Sequence, residues 1–283
     1  MVHRLADDIV LTVTGEKGIM SSQILFVAGG RSQKEVYTAD FDGQNISKKT
    51  NHRSISLSPS ISPGGRYLAY TSYKDGQPNL YVLDTERNAE IPVDRSEGVK
   101  ISSSSWLNKT TLVYSHTHGK YSTIYSYNVE NKDKKVLLNK EGILASPAVS
   151  PDGSKMVFVS DMYGSPQIFV RNNGSGDIKR ITYYGKYNSS PTWSPKGDLI
   201  AFVASLEGGF EICTINPDGS NQKVLTSDGT VNDSPQFSPD GRYILYSSQR
   251  GGKYCVYVML YNGENKRLVK FTDYSEEQPR FMP

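Results

Sequence analysis

The segment Ser146–Val170, SPAVSPDGSKMVFVSDMYGSPQIFV, decides the fold because related segments recur along the whole chain. It contains a short apolar strand, an SPDG turn, a second strand centred on Phe158, a polar turn and a third strand centred on Phe169. Steps of 44 residues place Phe26, Tyr70, Tyr114, Phe202 and Tyr246 on the Phe158 position, and Tyr37, Tyr81, Tyr125, Cys213 and Tyr257 on the Phe169 position. This period predicts a repeat architecture, because one unit cannot bury its own hydrophobic face and must stack on a neighbour.

The order of strands within the copies predicts a closed ring. The copy that begins at Gln23 lacks a leading strand, and the missing strand appears at the other end of the chain as QPRFMP, residues 278–283. We therefore expect an all-β fold over residues 21–283, a six-bladed β-propeller of four-stranded blades that is closed by its carboxyl-terminal strand. An open solenoid, the alternative architecture, leaves the split first copy unexplained.

The leading strands carry proline, which suits an innermost position where one strand edge faces a channel and needs no sheet partner. The prolines are Pro59, Pro147, Pro191, Pro235 and Pro279, with Ser104 as the counterpart in the remaining copy. The next residue is small or polar in every copy: Ser60, Ser105, Ala148, Thr192, Gln236 and Arg280. Turns of the type SPDG follow, except at Leu107–Thr110, where LNKT predicts a differently shaped turn.

Composition and charge exclude several classes of protein. The net charge is +3 and the basic residues are scattered singly, so we expect no nucleic-acid partner. No stretch approaches the roughly 20 apolar residues that a membrane-spanning helix needs, and the first residues lack a signal-peptide profile. Cys213 and Cys255 lie in third strands of adjacent copies, and we expect both to be free, buried thiols.

The first 20 residues differ from the repeats. Residues 3–14 place Leu5, Ala6, Ile9, Val10 and Val13 on one helical stripe, and Gly15 follows where a left-handed cap ends a helix. A helix this short is marginal in water by itself. It therefore either lies against the repeats or is the remnant of a preceding domain, and we assign residues 1–20 to such a remnant and its linker.

Few residues offer chemistry. His116 and His118 would share one strand face, as metal ligands need, and His52 is expected on the same rim, but exposed turn histidines are the commoner case. The G-x-S-x-G motif of a hydrolase nucleophile is absent. The acidic residues expected near the central mouth are Asp228, Asp233, Glu276 and Glu277, which could bind a cation or could be solvated loop charges.

A polar, channel-pierced face remains, formed by the loops at 51–58, 95–103, 140–146, 184–190, 228–234 and 273–278. Loops on a rigid scaffold tend to carry function. We expect a partner to contact the residues just before the inner strands, which are Asn188, Ser189, Asn232, Asp233, Ser275 and Glu276.

The segments SPDGSKMVFVSDMYGSPQIFVRN, SPTWSPKGDLIAFVAS and INPDGSNQKVLT resemble the repeat of the TolB family. HRLADDIVLTVTGEKGI followed by ILFV resembles the last helix of that family's amino-terminal domain running into the first propeller strand. The resemblance implies a periplasmic, non-enzymatic protein of the Tol-Pal envelope system, whose propeller face binds the lipoprotein Pal and, in some members, colicins. It implies no cofactor apart from a calcium ion that can occupy the channel, and we expect a monomer.

Two departures from the family pattern affect the expected partners. Only the last helix of the amino-terminal domain matches, so the TolA contact that the family makes through that domain falls on no residue here. Where a partner-contacting histidine is expected, the loop reads SEGVKISSSS, with Lys100 near that place. The alternative function is a propeller enzyme, of the lactonase or glycosidase type, that uses mouth carboxylates with a bound cation.

Overall fold

The computed structural model describes residues 2–15 and 18–282, which form one helix and 24 strands. Helix α1 is Val2–Thr14. The strands are β1 (Gln23–Gly29), β2 (Lys34–Asp40), β3 (Ser47–Lys48), β4 (Ser56–Ile61), β5 (Tyr67–Ser72), β6 (Asn79–Asp84), β7 (Ala89–Asp94), β8 (Val99–Trp106), β9 (Thr111–His118), β10 (Tyr121–Asn128), β11 (Lys134–Glu141), β12 (Leu144–Val149), β13 (Lys155–Ser160), β14 (Gln167–Asn172), β15 (Ile178–Arg180), β16 (Asn188–Trp193), β17 (Ile200–Leu206), β18 (Gly209–Ile215), β19 (Lys223–Val224), β20 (Asn232–Phe237), β21 (Tyr243–Arg250), β22 (Lys253–Leu260), β23 (Arg267–Val269) and β24 (Ser275–Phe281).

The strands form six four-stranded antiparallel sheets, which are the blades of a propeller. Blade 1 has the order β24-β1-β2-β3, and blades 2 to 6 follow in chain order from β4-β5-β6-β7 to β20-β21-β22-β23. The inner strands β24, β4, β8, β12, β16 and β20 contact one another in a closed ring around the axis. The predicted six-bladed propeller is confirmed. Within the described ranges, no helix has the length and apolar character needed to cross a membrane.

The closing strand comes from the carboxyl end, as the split first copy predicts. Strand β24 pairs antiparallel with β1, with Phe281 opposite Ile24 and Ser275 opposite Gly29. The amide of Met282 continues the ladder by donating to the carbonyl of Gln23 at 2.8 Å. Blade 1 therefore joins the two ends of the propeller through backbone hydrogen bonds.

The aromatic columns form the core between blades. Phe158 and Phe169 are opposite each other on β13 and β14, with ring centroids 5.8 Å apart, and both are buried. The other copies repeat this cross-strand pairing, with Phe202 facing Cys213 in blade 5. Six apolar clusters result, and each lies between two neighbouring blades. The period of 44 thus marks the residues that hold adjacent blades together.

Each inner strand has a register irregularity at or next to its proline position. In five blades the residue before proline has a positive φ, which non-glycine residues rarely adopt: Ser58, Ser146, Ser190, Ser234 and Gln278. Hydrogen bonds between blades hold several of these irregular segments. The Ser58 amide donates to Gln278 Oε1 at 2.6 Å, and Ser190 Oγ donates to Asp233 Oδ1 at 2.9 Å.

A second link between blades uses buried amide side chains. Asn188 begins β16 of blade 5, and its Nδ2 donates to Oε1 of Gln167 on β14 of blade 4 at 2.7 Å. Thr182 Oγ1 donates to the same Gln167 oxygen at 2.8 Å. Blade 5 and blade 6 repeat the arrangement with Asn232, Thr226 and Glu211 at the same sequence separations. We call these two groups the interblade staples.

Three of the residues expected to contact a partner, Asn188, Asn232 and Glu276, have side chains that lie inside the fold. All three are buried at the start of inner strands. Glu276 Oε1 accepts hydrogen bonds from the backbone amides of Phe271 and Thr272. The side chains of these residues, at the start of their inner strands, point into the seam between blades and hold the adjoining loops in place.

A helix that lies on the repeats is expected to dock through its apolar stripe. Helix α1 does not dock in this way. Its buried residue is Asp7, whose carboxylate accepts hydrogen bonds from the amides of Met20 and Ser21, both at 2.8 Å. Leu5, Ile9 and Val13 are exposed. Gly15 has a φ of 73° and ends the helix, as predicted, with its amide bonded to the Leu11 carbonyl at 2.8 Å. Polar contacts, those of the Asp7 carboxylate and of His3 with Asp42, tie the helix to the start of the propeller in place of an apolar face.

Two local expectations can be compared directly with the structure. Cys213 and Cys255 are free thiols, but Cys255 is half-buried where we expected full burial. At Leu107–Thr110 the turn is built on Asn108, whose Oδ1 accepts the amides of Thr110 and Thr111 at 3.0 and 2.8 Å. This turn differs from the SPDG-type turns, where a glycine takes a positive φ.

We predict that Phe158→Ala lowers the free energy of unfolding by about 3–5 kcal/mol, because the cavity at the blade interface cannot collapse. Urea denaturation measures the change. Tyr261→Ala is the matched control, since Tyr261 is 50% exposed, and it should change stability by less than about 0.5 kcal/mol. Equal losses for the two variants would show that the column is not core.

We predict that Asn188→Ala lowers the free energy of unfolding by about 1–3 kcal/mol, because two hydrogen bonds of its Nδ2, to Gln167 Oε1 and the Tyr184 carbonyl, are lost. Ser189→Ala, one residue along the same strand, should stay within about 0.5 kcal/mol of the parent. If the two variants were equally stable in urea, the interblade staple would contribute nothing measurable.

Candidate partner-binding face

The loops that join one blade to the next lie on the same face as the hairpins between the second and third strands of each blade. Antiparallel order within a blade places both kinds of connection at one end of the strands. Two parallel bridges confirm this, since Lys34 of a hairpin pairs with Ile55 of a loop, and Phe210 pairs with Val231. We call this the loop face, and the opposite one, formed by the SPDG-type turns, the turn face.

The residues predicted to contact a partner are placed unequally on the loop face. Lys100 has an exposed side chain, whereas Ser189, Asp233 and Ser275 are half-buried. Asp233 accepts a hydrogen bond from Ser190, and Ser275 Oγ accepts one from the Tyr254 amide at 3.0 Å. Together with the three buried residues described above, this leaves Lys100 as the most accessible of the predicted set.

The loop face carries an aromatic patch that the sequence analysis missed. Its five rings are between 37% and 73% exposed and belong to Tyr163, Tyr183, Tyr184, Tyr187 and Phe210. They come from the hairpin of blade 4, the loop from blade 4 to blade 5, and the hairpin of blade 5. The ring centroids of Tyr187 and Phe210 are 6.3 Å apart in an edge-to-face arrangement.

The loop that carries three of these tyrosines is held rigidly at both ends. Thr182 and Asn188 flank it, and both donate to Gln167 in the interblade staple. The Asn188 amide donates to the carbonyl of Pro166 in blade 4, and the Lys186 amide donates to the carbonyl of Ser205 in blade 5. With its ends buried and its backbone bonded to both hairpins, the loop displays its aromatic side chains outward.

A sequence signal for the patch exists in TYYGKY, residues 182–187. These tyrosines fall outside both aromatic columns, so the repeat does not require them for the core. Tyrosines in a turn that also contains glycine are not explained by packing within the fold. The aromatic columns with the 44-residue spacing contain buried rings, so a search for that spacing does not find the tyrosines of this loop.

Within the described part of the chain, His52, His116 and His118 are not among the groups that could share a metal ion. His52, in the loop from blade 1 to blade 2, stacks on Tyr70 with its Nε2 3.1 Å from Glu90, and burial together with the Lys74 charge lowers its pKa. His116 is on β9 of blade 3 and half-buried, which corrects the expectation of an exposed turn residue. Its Nδ1 lies 2.9 Å from Asp94 Oδ2.

Asp94 explains why His116 is held in the sheet. Burial acts to raise the pKa of Asp94, but hydrogen bonds from His116 and Ser96 and the charge of Lys134 lower it well below its ordinary value.

Among the described residues, the three donors of metal-ligand type that converge are His3, Asp40 and Asp42, beside helix α1. His3 and Asp42 already pair with each other at 2.7 Å.

The four carboxylates predicted at the central mouth have separate partners. Asp228 pairs with Arg250 and accepts from Asn232. Burial opposes ionisation of Asp228, but these hydrogen bonds outweigh it and lower its pKa to about 2. Glu277 pairs with Lys34, while Asp233 and Glu276 make the contacts given above. In the part of the chain that is described, the four carboxylates therefore do not converge on a single point.

The central channel widens into a cavity of about 550 Å³ lined by the inner strands and by prolines of the turn face. Of the described residues that line it, Asp233 is the one carboxylate and Arg280 the one cation. Calcium takes six to eight oxygen ligands, usually with several carboxylates. A single carboxylate and a guanidinium do not fit calcium, so we derive no role for that ion.

Comparison with known proteins identifies the family. A model of the TolB beta propeller domain matches residues 10–283. A protein TolB homolog of Chlorobium luteolum is 37% identical over 179 residues, which are 63% of this chain and 41% of the homolog. A Tol-Pal system protein TolB of Bordetella pertussis is 32% identical over 178 residues, 62% of this chain and 41% of that protein. The aligned segments thus span about two fifths of these relatives' length.

A solved structure agrees with the sequence relatives. The crystal structure of TolB from Acinetobacter baumannii superimposes with a TM-score of 0.88 at 25% identity, over 99% of this chain and 71% of that chain. Its agreement over nearly the whole chain supports the blade count and the closure described above. The chain belongs to the TolB β-propeller family.

Proposed function

We propose that this chain is the protein-binding propeller of a Tol-Pal envelope system and docks the lipoprotein Pal on its loop face in the periplasm. Membership of the TolB family and the name of the Bordetella relative support the system. The assignment of Pal to the loop face rests on the exposed side chains of this chain. The propeller acts by recognition, without chemistry of its own.

The aromatic patch carries the proposal. Tyrosine and tryptophan dominate the energetics of protein interfaces, because a rigid ring buries a large area at small entropic cost while a hydroxyl can hydrogen-bond at the rim. Here four tyrosines and Phe210 are exposed on neighbouring connections of blades 4 and 5, and the loop between these blades is bonded to both of them. A preorganised aromatic surface suits a protein partner, because little ordering entropy remains to be lost on binding.

The residues predicted from sequence take two roles in this proposal. Lys100, Ser189, Asp233 and Ser275 remain proposed rim contacts on the loop face. Asn188, Asn232 and Glu276 support the loops from within the seams between blades. A contact with TolA would involve sequence that precedes helix α1, whose exposed Leu5, Ile9 and Val13 agree with a preceding domain that packs on it.

The enzyme alternative is disfavoured by the carboxylates. A lactonase or glycosidase site needs carboxylates that converge on a cation or on the scissile bond. Here Asp228, Glu277 and Glu276 are each engaged by a different partner, an arginine, a lysine and two backbone amides. Measured hydrolysis of lactone and aryl glycoside substrates that is lost on chelation would favour the alternative instead.

We predict that Tyr184→Ala and Tyr163→Ala each weaken binding of cognate Pal at least about tenfold in isothermal titration calorimetry, since exposed aromatic anchors are typical hot spots. Tyr261→Ala is the matched control, because Tyr261 is an exposed tyrosine at a turn-face hairpin and should leave the affinity unchanged.

Two results would contradict this proposal in different ways. Absence of Pal binding to the parent chain at tens of micromolar would remove the partner. Parent-like affinity of both patch variants would keep the partner but place it on another surface.

A further inference from the structure

The channel breaks the near-symmetry of the propeller at one position. The residue after each inner-strand proline, or after its counterpart Ser104, lines the cavity that opens toward the turn face. Five of the six residues are uncharged, and the sixth is Arg280 on the closing strand β24: Ser60, Ser105, Ala148, Thr192, Gln236 and Arg280. A charged side chain thus replaces a small or neutral one in a ring that the repeat otherwise keeps neutral.

Arg280 has no ion-pair partner among the described contacts, although Asp233 lines the same cavity. Its Nη1 donates to two backbone carbonyls, those of Pro279 at 3.0 Å and Ser234 at 3.3 Å. The charge of Asp233 influences the Arg280 guanidinium only over a longer range. The described contacts include no ion pair between the two side chains. Burial lowers the pKa of Arg280 to about 10, which leaves it a cation at neutral pH. The guanidinium therefore keeps N–H donors that no described protein group uses.

Other donors in the same cavity also lack acceptors. The hydroxyls of Ser103 and Ser105 are buried without a hydrogen-bond partner. Gln236 uses its Oε1 to accept the Phe281 amide at 3.1 Å, which leaves its NH2 group as a donor beside the ring. Unpaired buried donors cost free energy unless a ligand or water accepts from them. The cavity thus holds several unused donors around Arg280, while its one described carboxylate, Asp233, makes no ion pair with the guanidinium among the described contacts.

We propose that the central channel binds a small oxyanion, a carboxylate, sulfate or phosphate group, on the guanidinium of Arg280. The planar guanidinium matches two oxygens of such a group with parallel hydrogen bonds. A cavity of about 550 Å³ holds a small anion together with water. The site is built from channel-lining residues and not from the aromatic patch, so the two proposals are tested by different variants.

Thermal unfolding at constant ionic strength tests the site, with sodium sulfate replacing sodium chloride. The parent should show a saturable rise in Tm with sulfate, and Arg280→Gln should lose the saturable part. Arg31→Gln, which removes an exposed arginine on the loop face, is the control and should behave as the parent. Sulfate also stabilises proteins by general exclusion, so the difference between the two variants is the quantity of interest.

A direct measurement does not depend on how the variants fold. Crystals of the parent chain soaked in selenate should give an anomalous peak within hydrogen-bond distance of the Arg280 guanidinium. The proposal is overturned if selenate gives no peak there, or if Arg280→Gln and the parent respond identically to sulfate. It is also overturned if calcium gives the saturable stabilisation and sulfate does not.

Discussion

The pairing of β24 with β1 is the constraint on which the rest of the structure depends. It joins residues 275–281 to residues 24–29 and so converts a row of blades into a ring. Without it, blade 1 would have three strands, and Phe26 and Ala28 would lose the packing of Phe281 in their apolar cluster. Loop closure over the whole chain is entropically costly, and the buried interface between blades 1 and 6 offsets that cost.

Closure also explains how the loop face is made rigid. In a ring, each inner strand has a neighbour on both sides, so staples such as Gln167 with Asn188 can link successive blades. The loops above the staples then carry side chains that the fold does not need, among them Tyr183 and Tyr184. The buried core, the interblade staples and the loop face thus constrain the sequence in different ways. We place recognition of a partner on the loop face.

The repeat predicted the fold because both aromatic columns are buried, and burial imposes a regular spacing. The side-chain roles near Asn188 and Asn232 were harder to predict, because a polar residue at a strand start can point outward to solvent or inward to a seam. The separations from Gln167 to Thr182 and Asn188 recur from Glu211 to Thr226 and Asn232, and that recurrence could have indicated a buried network. The anchor of helix α1 could not be found from its apolar stripe, because the buried residue, Asp7, is polar.

Hydrogen exchange measured by mass spectrometry tests the central claim most directly, by comparing β1 and β24 with β13 in the middle of the chain. If closure holds the ring together, the amides of residues 24–28 and 276–281 exchange as slowly as those of residues 155–160, through global unfolding. Fast exchange of β24 while β13 stays protected would show that the ring is stable without its closing strand, and would contradict the account.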